Sequence, residues 1–217
     1  MIHYRKLKKE EVKDIARMCA LTFAEYPICN DIKKEIREYG RYIAFMSEVY
    51  EVHIRAHYKS SVFFVGEEGG KIRSFAVLVR PYSSNTNLMD YICSDGLKLM
   101  KMVSLPKLLK FLNVLEEGHK PISGMKDHSW LLELLAVDRS YTGRQLGSKM
   151  INECIIPYIK EQSMGAEPET FITFTNTELN KKFYLKNGFT EFDYKTIQMD
   201  KNAIGNWSFR MSINPSL

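Results

Sequence analysis

The sequence predicts a mixed α/β sheet with helices packed on both of its faces. Three observations carry this. Residues 129–137 (SWLLELLAV) are almost wholly apolar, the pattern of a strand buried on both faces. Directly after it, Leu146, Met150, Cys154 and Tyr158 recur at i+4 spacing with Ile151, Ile155 and Ile159 beside them, the apolar stripe of an amphipathic helix over 144–162. Residues 61–66 and 72–80 are apolar, β-branched or aromatic runs separated by the turn Glu67–Gly70, which reads as a β-hairpin.

The remaining elements follow in order. IHYRKL at 2–7 alternates as a first strand. Val12, Ile15, Ala16, Met18, Cys19 and Phe23 give a helix over 9–22, with Pro27 as its stop. Ile32, Ile36, Tyr39, Ile43, Met46, Val49 and Tyr50 give a second helical stripe over 31–56, divided near Gly40. Pro81 closes the hairpin. Residues 83–128 then break the pattern: a Ser-Asn-Thr-Asn loop at 84–87 leads into helices at 88–102 and 105–118, the latter with Pro106 at its start. This segment is expected to be a helical insertion between strands 3 and 4. After the 144–162 helix, which Pro157 should kink, come a strand at 170–175, a short helix at 177–187 ended by Gly188, and strands at 189–199 and 207–213 around an Asn-Ala-Ile-Gly-Asn turn. The whole reads as one domain over 1–217.

Composition narrows the function. Of 217 residues, 45% are hydrophobic and 26% charged, as in ordinary globular chains. There is no run of 18 apolar residues to span a membrane and no apolar stretch of a signal peptide near the start, so a cytoplasmic protein without a membrane partner is expected. The net charge of +5 is spread along helices and balanced by acidic residues, unlike the concentrated charge of a nucleic-acid binder. Cys19, Cys29, Cys93 and Cys154 form no CxxC pair and have no histidine at ligand spacing, so they read as reduced core residues rather than metal ligands.

The stretch LLELLAVDRSYTGRQLGSKM, residues 131–150, carries the chemistry. A buried strand ends at Val137, a polar turn follows, and a helix begins near Arg144. The first turn of a helix presents unpaired N–H groups and a partial positive charge, which together suit a phosphate or diphosphate. Gly143 and Gly147 permit close approach of a ligand to the backbone, and Arg144 adds a fixed charge. An ordinary strand–loop–helix crossover with a packing glycine would look much the same.

VDRSYTGRQLGSKM resembles the acetyl-CoA-binding motif of the GNAT acetyltransferases, V-x-P-x-x-[QR]-G-x-G-x-[GA], and NTELNKKFYLKNGF resembles the second signature of that family, N-x-x-[FY]-Y-x-x-x-G-F. HSWLLELLAVDRSYTG is similar to a subgroup with a helical insert before the fourth strand. The resemblance is strong over 128–192 and implies the GNAT fold, acetyl-CoA as cofactor, and transfer of an acetyl group to a primary amine of a small molecule or peptide by direct attack on the thioester. A monomer or homodimer is expected. Three positions depart from the motif: Thr142 stands for Gln or Arg, Gln145 for Gly, and Arg139 for Pro. The changes at Thr142 and Gln145 lend weight to a second reading, an acyl-CoA-binding module with little or no turnover.

Carried over by position, the resemblance implies that Leu135 and Val137 offer backbone to the pantetheine arm. Thr142, Gly143, Arg144, Gln145, Gly147 and Ser148 would surround the pyrophosphate, Asn180 would hydrogen-bond the arm, and Phe183 would pack on it. Tyr184 would lie near the thioester sulfur as an acid, and a phenol with a pKa of about 10 is protonated at neutral pH. Glu133, the one charged residue in the apolar strand, is the candidate base. An apolar setting would raise its pKa, and simple alternation puts it on the same face as Leu131, Leu135 and Val137. The other reading is a carboxylate paired with a basic neighbour. His128, at the mouth of the strand, is either an alternative base acting through water or a structural residue. His3, His53, His57 and His119 show no partner in the sequence.

Overall fold

The computed structural model describes residues 2–83, 86, 88–163, 165 and 167–215. These form a seven-stranded sheet in the order β1-β2-β3-β4-β5-β7-β6. The strands are β1 His3–Lys6, β2 Ser61–Glu68, β3 Lys71–Val79, β4 Trp130–Val137, β5 Glu169–Thr175, β6 Thr190–Gln198 and β7 Ala203–Ile213. Neighbours are antiparallel except β4 and β5, which run parallel. The expected mixed sheet is therefore present.

Helices cover both faces. On one face lies a long helical run: α7 Leu146–Lys149 passes through a π-helical stretch, Met150–Ile155, into α8 Ile156–Gln162. Its apolar stripe (Met150, Ile151, Ile155, Ile159) packs with Val62, Phe64, Leu78, Leu132, Phe171 and Phe209. Pro157 explains the π stretch. Proline brings no N–H and crowds the carbonyl four residues back, and a widened turn accommodates both. The helix α9 Glu178–Lys186 lies on the same face, capped by the Thr177 hydroxyl accepting from the Asn180 N–H.

On the other face, α1 Val12–Thr22 and α3 Tyr39–Ala56 bury Val12, Ile15, Cys19 and Ile54 against Phe63, Val65, Phe75, Val77 and Ala136. Within 83–128 the expected helices are present from Leu88 on: α4 Leu88–Cys93, a 3-10 stretch Gly96–Lys101, α5 Leu105–His119, a 3-10 turn Lys120–Ile122 and α6 Ser123–Lys126. It packs α5 on α3, with the Phe111 ring 6.1 Å from Phe45. Of the expected loop at 84–87, Ser84, Asn85 and Asn87 lie outside the described residues. Among the described residues no helix is long and apolar enough to cross a membrane.

Several boundaries differ from expectation. The 31–56 stripe divides at 36–38 into α2 Asn30–Glu35 and α3, not at Gly40. Glu38 caps α3 by accepting from the Arg41 N–H, and a side chain at Gly40 would meet that carboxylate at 2.7 Å. The 88–102 helix stops at Cys93 because Asp95 takes a left-handed conformation, φ 68°. The Asn-Ala-Ile-Gly-Asn segment lies within β7 apart from Asn202. The turn precedes it, closed by Met199 N–H donating to Asn202 O at 2.8 Å. Gly205 fits the strand because the Trp207 indole lies across it, where a Cβ would stand 2.3 Å from the ring.

Candidate active site

β4 and β5 pair only at Trp130↔Phe171 and Leu131↔Ile172, and then part. The Thr173 hydroxyl, instead of a strand bond, donates to Leu132 O at 3.0 Å. On its other side β4 keeps its bonds to β3: Asp138 N–H donates to Arg73 O at 2.8 Å. By antiparallel alternation, Leu135 and Val137 turn their own N–H and C=O groups away from β3, into the gap. The Val137 carbonyl is met there by the Thr22 hydroxyl at 3.2 Å. Leu135 remains as backbone on the open edge.

The loop after β4 is held firmly. Asp138 accepts from the N–H and hydroxyl of Ser140 (3.0 and 2.7 Å) and pairs with Arg73 at 2.8 Å. The Tyr141 ring then lies between two guanidiniums, Arg73 at 4.0 Å and Arg144 at 4.4 Å. Residues 142–145 are exposed. Gly143 has φ 85°, and Gln145 holds the left-handed conformation, φ 60° and ψ 19°. Gln145 thus keeps a path that suits glycine, rather than rerouting the loop. Helix α7 starts at once, so the N–H groups of Leu146, Gly147 and Ser148 lie in the first turn, where a helix offers them no partner. The helical run from 146 to 162 puts its positive end at this loop. A Cβ on Gly147 would stand 3.1 and 3.2 Å from Phe183 ring atoms and 3.7 Å from Leu135. Glycine there lets the helix, β4 and α9 close together.

Glu133 sits at a β-bulge. Val77 pairs with Leu134 and Leu78 with Leu132, so Glu133 is the extra residue on β4. The bulge breaks simple alternation and corrects the expected facing. Leu135 packs with Leu132 and Met150 toward α7, whereas Leu131 packs with Val79 and Ile122 on the opposite face. Glu133 meets residues of α3 and α5 on that opposite side: His119 Nε2 at 2.8 Å and His53 Nε2 at 3.7 Å from Oε1. The expectation of a raised pKa is also corrected. Burial does push the carboxyl up, but the charge and hydrogen bond of His119, with the charges of His53 and His57, outweigh it and hold Glu133 well below the usual carboxylate range. His119 Nδ1 lies 2.8 Å from the Leu115 carbonyl. Both of its ring nitrogens therefore face acceptors, and both must carry protons: His119 is an imidazolium paired to Glu133. The His53 and His57 rings lie 4.3 Å apart, tilted by 38°, and both border the Tyr91 hydroxyl, at 3.5 and 3.2 Å.

Tyr184 is buried on the α7 face among Phe183, Phe189 and Phe209. Burial, with Tyr26 adding and Thr173 opposing, raises its phenol far above the ordinary value, so the proton stays on oxygen. The Asn180 side chain is committed within the protein, donating to the Tyr26 hydroxyl at 2.8 Å, which itself lies 2.5 Å from the Thr175 hydroxyl. Tyr26 and Thr175 thus join the α1 side to α9 across the gap. His128 is exposed at the start of β4, packs its ring on Tyr82 at 5.3 Å, and has no part in the Glu133 cluster. Among the described residues no group of His, Cys, Asp and Glu is arranged to hold a metal ion.

The model of the acetyltransferase (GNAT) domain family matches residues 110–191, from α5 into β6. That part of the chain, 82 of its 217 residues, is similar to the GNAT acetyltransferase domain. Solved structures similar to this chain over its length include three N-acetyltransferases. The ribosomal-protein-S18-alanine N-acetyltransferase from Escherichia coli is 12% identical, with a TM-score of 0.58, over 100% of this chain and 97% of that one. Arylalkylamine N-acetyltransferase 2 from Aedes aegypti is 14% identical, with a TM-score of 0.59, over 98% and 99%. PaiA N-acetyltransferase from Thermoplasma acidophilum, solved in complex with coenzyme A, is 12% identical, with a TM-score of 0.52, over 95% and 98%. Identities this low show the shared fold. No curated protein matches the sequence significantly.

Acetyl-CoA is the cofactor of GNAT acetyltransferases, and the residues of this chain fit its parts. The exposed loop with first-turn amides suits a diphosphate, and the open edge at Leu135 suits an amide-bearing arm. Thr142, Gly143, Arg144, Gln145, Gly147 and Ser148 fall together at the loop. Leu135 and Phe183 meet at Gly147. Glu133 and Tyr184 lie on opposite faces of the sheet beside the parting strands. The sequence reading missed Tyr26, His53 and His119. No local signal marks them, because each reaches the site from an element far along the chain.

Proposed function

We propose that the protein is an acetyl-CoA-dependent N-acetyltransferase acting on a primary amine of a small molecule or peptide. The observation that carries this is the parting of β4 from β5 directly beside the loop at 142–148. One open strand edge thereby continues into one set of unpaired amides. Bound acetyl-CoA supplies the acyl group as an activated thioester.

The residues of the chain do the rest. The amides of Leu146, Gly147 and Ser148 bind the diphosphate with Arg144 adding charge, and the Leu135 backbone aligns the arm. Tyr184 holds a proton at its phenol oxygen, available to a leaving group that departs as an anion. The Thr173 hydroxyl lies beside it and donates to Leu132 O. An aliphatic amine with a pKa of about 10 arrives protonated and must lose that proton before attack. Glu133 contributes a fixed negative charge near the gap.

The test is thiol release from acetyl-CoA across a panel of small amines and peptides. Tyr184→Phe should lower kcat by about 10²-fold, within the range for a positioned acid, and leave CoA binding nearly unchanged. An unaltered kcat removes Tyr184 from the acid role. The presence of Thr142 and Gln145 at the loop favours a second reading, a CoA-binding protein without turnover. A thermal shift with CoA but no thiol release on any amine would select it.

A further inference from the structure

Three histidines outside the family signatures gather around Glu133, and their arrangement assigns the proton traffic. The Glu133 side chain is 7% exposed, whereas His53 is 20% and His119 35% exposed. An amine approaching from the α3–α5 side meets imidazole before carboxylate. The carboxylate is a poor proton acceptor in any case, because its charge is already committed to an imidazolium. His119 cannot accept either, since both of its ring nitrogens already donate, one to Leu115 O and one to Glu133.

We propose that His53 takes the proton released by the incoming amine and that Glu133 is a positioning residue, locked to His119, which keeps a negative charge beside that imidazole. The inference rests on the transferase reading above. In the step, an N–H bond of the ammonium breaks and its electron pair stays on the amine nitrogen. The proton bonds to a ring nitrogen of His53, and the imidazolium so formed passes it on to solvent. The positive charge then lies 3.7 Å from Glu133.

The groups facing His53 set its balance. His57, tilted against it with ring centroids 4.3 Å apart just past the end of the same helix, disfavours two adjacent cations, as does His119 from α5. Glu133 on β4 favours the cation. Tyr91 on α4 presents its hydroxyl, with Asp90 beside it in sequence. A neutral imidazole held beside a carboxylate can accept a proton and carry the resulting charge.

The test follows the histidines of the full chain by NMR titration alongside the pH dependence of acetyl transfer. The His53 midpoint should coincide with the acid-side inflection of kcat/KM and should fall by about one pH unit in Glu133→Gln. His53→Gln should lower kcat/KM at pH 7 by about 10²-fold and abolish that inflection. Turnover with His53→Gln that keeps the wild-type rate and profile overturns the inference and leaves the transferase reading standing. A His53 midpoint indifferent to Glu133→Gln does the same, and needs no variant of His53 to fold. A wild-type chain that releases no thiol with any amine overturns the transferase reading, and this inference with it.

Discussion

Gln145 holds a left-handed backbone, φ 60° and ψ 19°, at the position where the family motif has glycine. That conformation costs a residue with a Cβ roughly 1–2 kcal/mol. Gln145→Gly removes the cost but gives the unfolded chain more freedom, which takes back about 0.5–1 kcal/mol. The side chain is exposed, so its loss forfeits no core packing. The net expectation is a gain of about 0.5 kcal/mol, which for a chain of this size raises Tm by only one or two degrees, on the order of 2–4 °C per kcal/mol. Gln145→Val tests the same strain from the other side. A β-branched residue is a genuine outlier at positive φ, so this variant should lose at least ~1 kcal/mol. Urea unfolding of the three chains, read as midpoints at constant slope, measures both differences. A valine variant as stable as the wild type, or a glycine variant that loses more than about 1 kcal/mol, would show that the loop does not store this strain.

Other expectations concern packing, charge and the hydroxyl bridge. Gly147→Ala puts a methyl group about 3.1 Å from the Phe183 ring; the ring must shift, costing about 1 kcal/mol and weakening CoA, as calorimetry of CoA binding would report. The pKa of Glu133 is lower folded than unfolded, so its contribution to stability is complete above about pH 4.3 and drains away as the pH falls below that. Glu133→Gln should therefore cost roughly 2 kcal/mol at pH 7, a discount on the usual buried pair because His119 is about one-third exposed. The gap to wild type should close in acid urea titrations, and a constant gap would contradict the pairing. Tyr26→Phe removes the hydroxyl shared by Asn180 and Thr175 and should cost ~1–2 kcal/mol in urea unfolding.

Local pattern was enough to read most of the fold. Alternation and 3.6-residue stripes are properties of neighbouring residues, so the β2–β3 hairpin, β4 and the 146–162 helix were legible. So was the loop at 142–148, since amides at a helix start depend only on where strand ends and helix begins. What escaped needed distant partners. The bulge at Glu133 exists because β3 pairs across it, and the fall in its pKa comes from His119 and His53, fourteen and eighty residues away in sequence. An isolated carboxylate in an apolar strand suggests desolvation, and only the folded contacts reverse that inference. The β6–β7 turn escaped for a nearer reason. Gly205 resembles turn chemistry until the Trp207 ring is seen to cover it.

The divergence of β4 and β5 leaves the molecule with two half-bonded strands in its interior rather than at its rim. Threonine hydroxyls stop this internal seam only in places, at the carbonyls of Leu132 and Val137. A guest that lies along the remainder completes the sheet from within, as a missing strand would. Occupancy should therefore act as a fastener for the whole fold: at a hundred times its Kd, a guest specific to the native state adds about 2.7 kcal/mol to the free energy of unfolding.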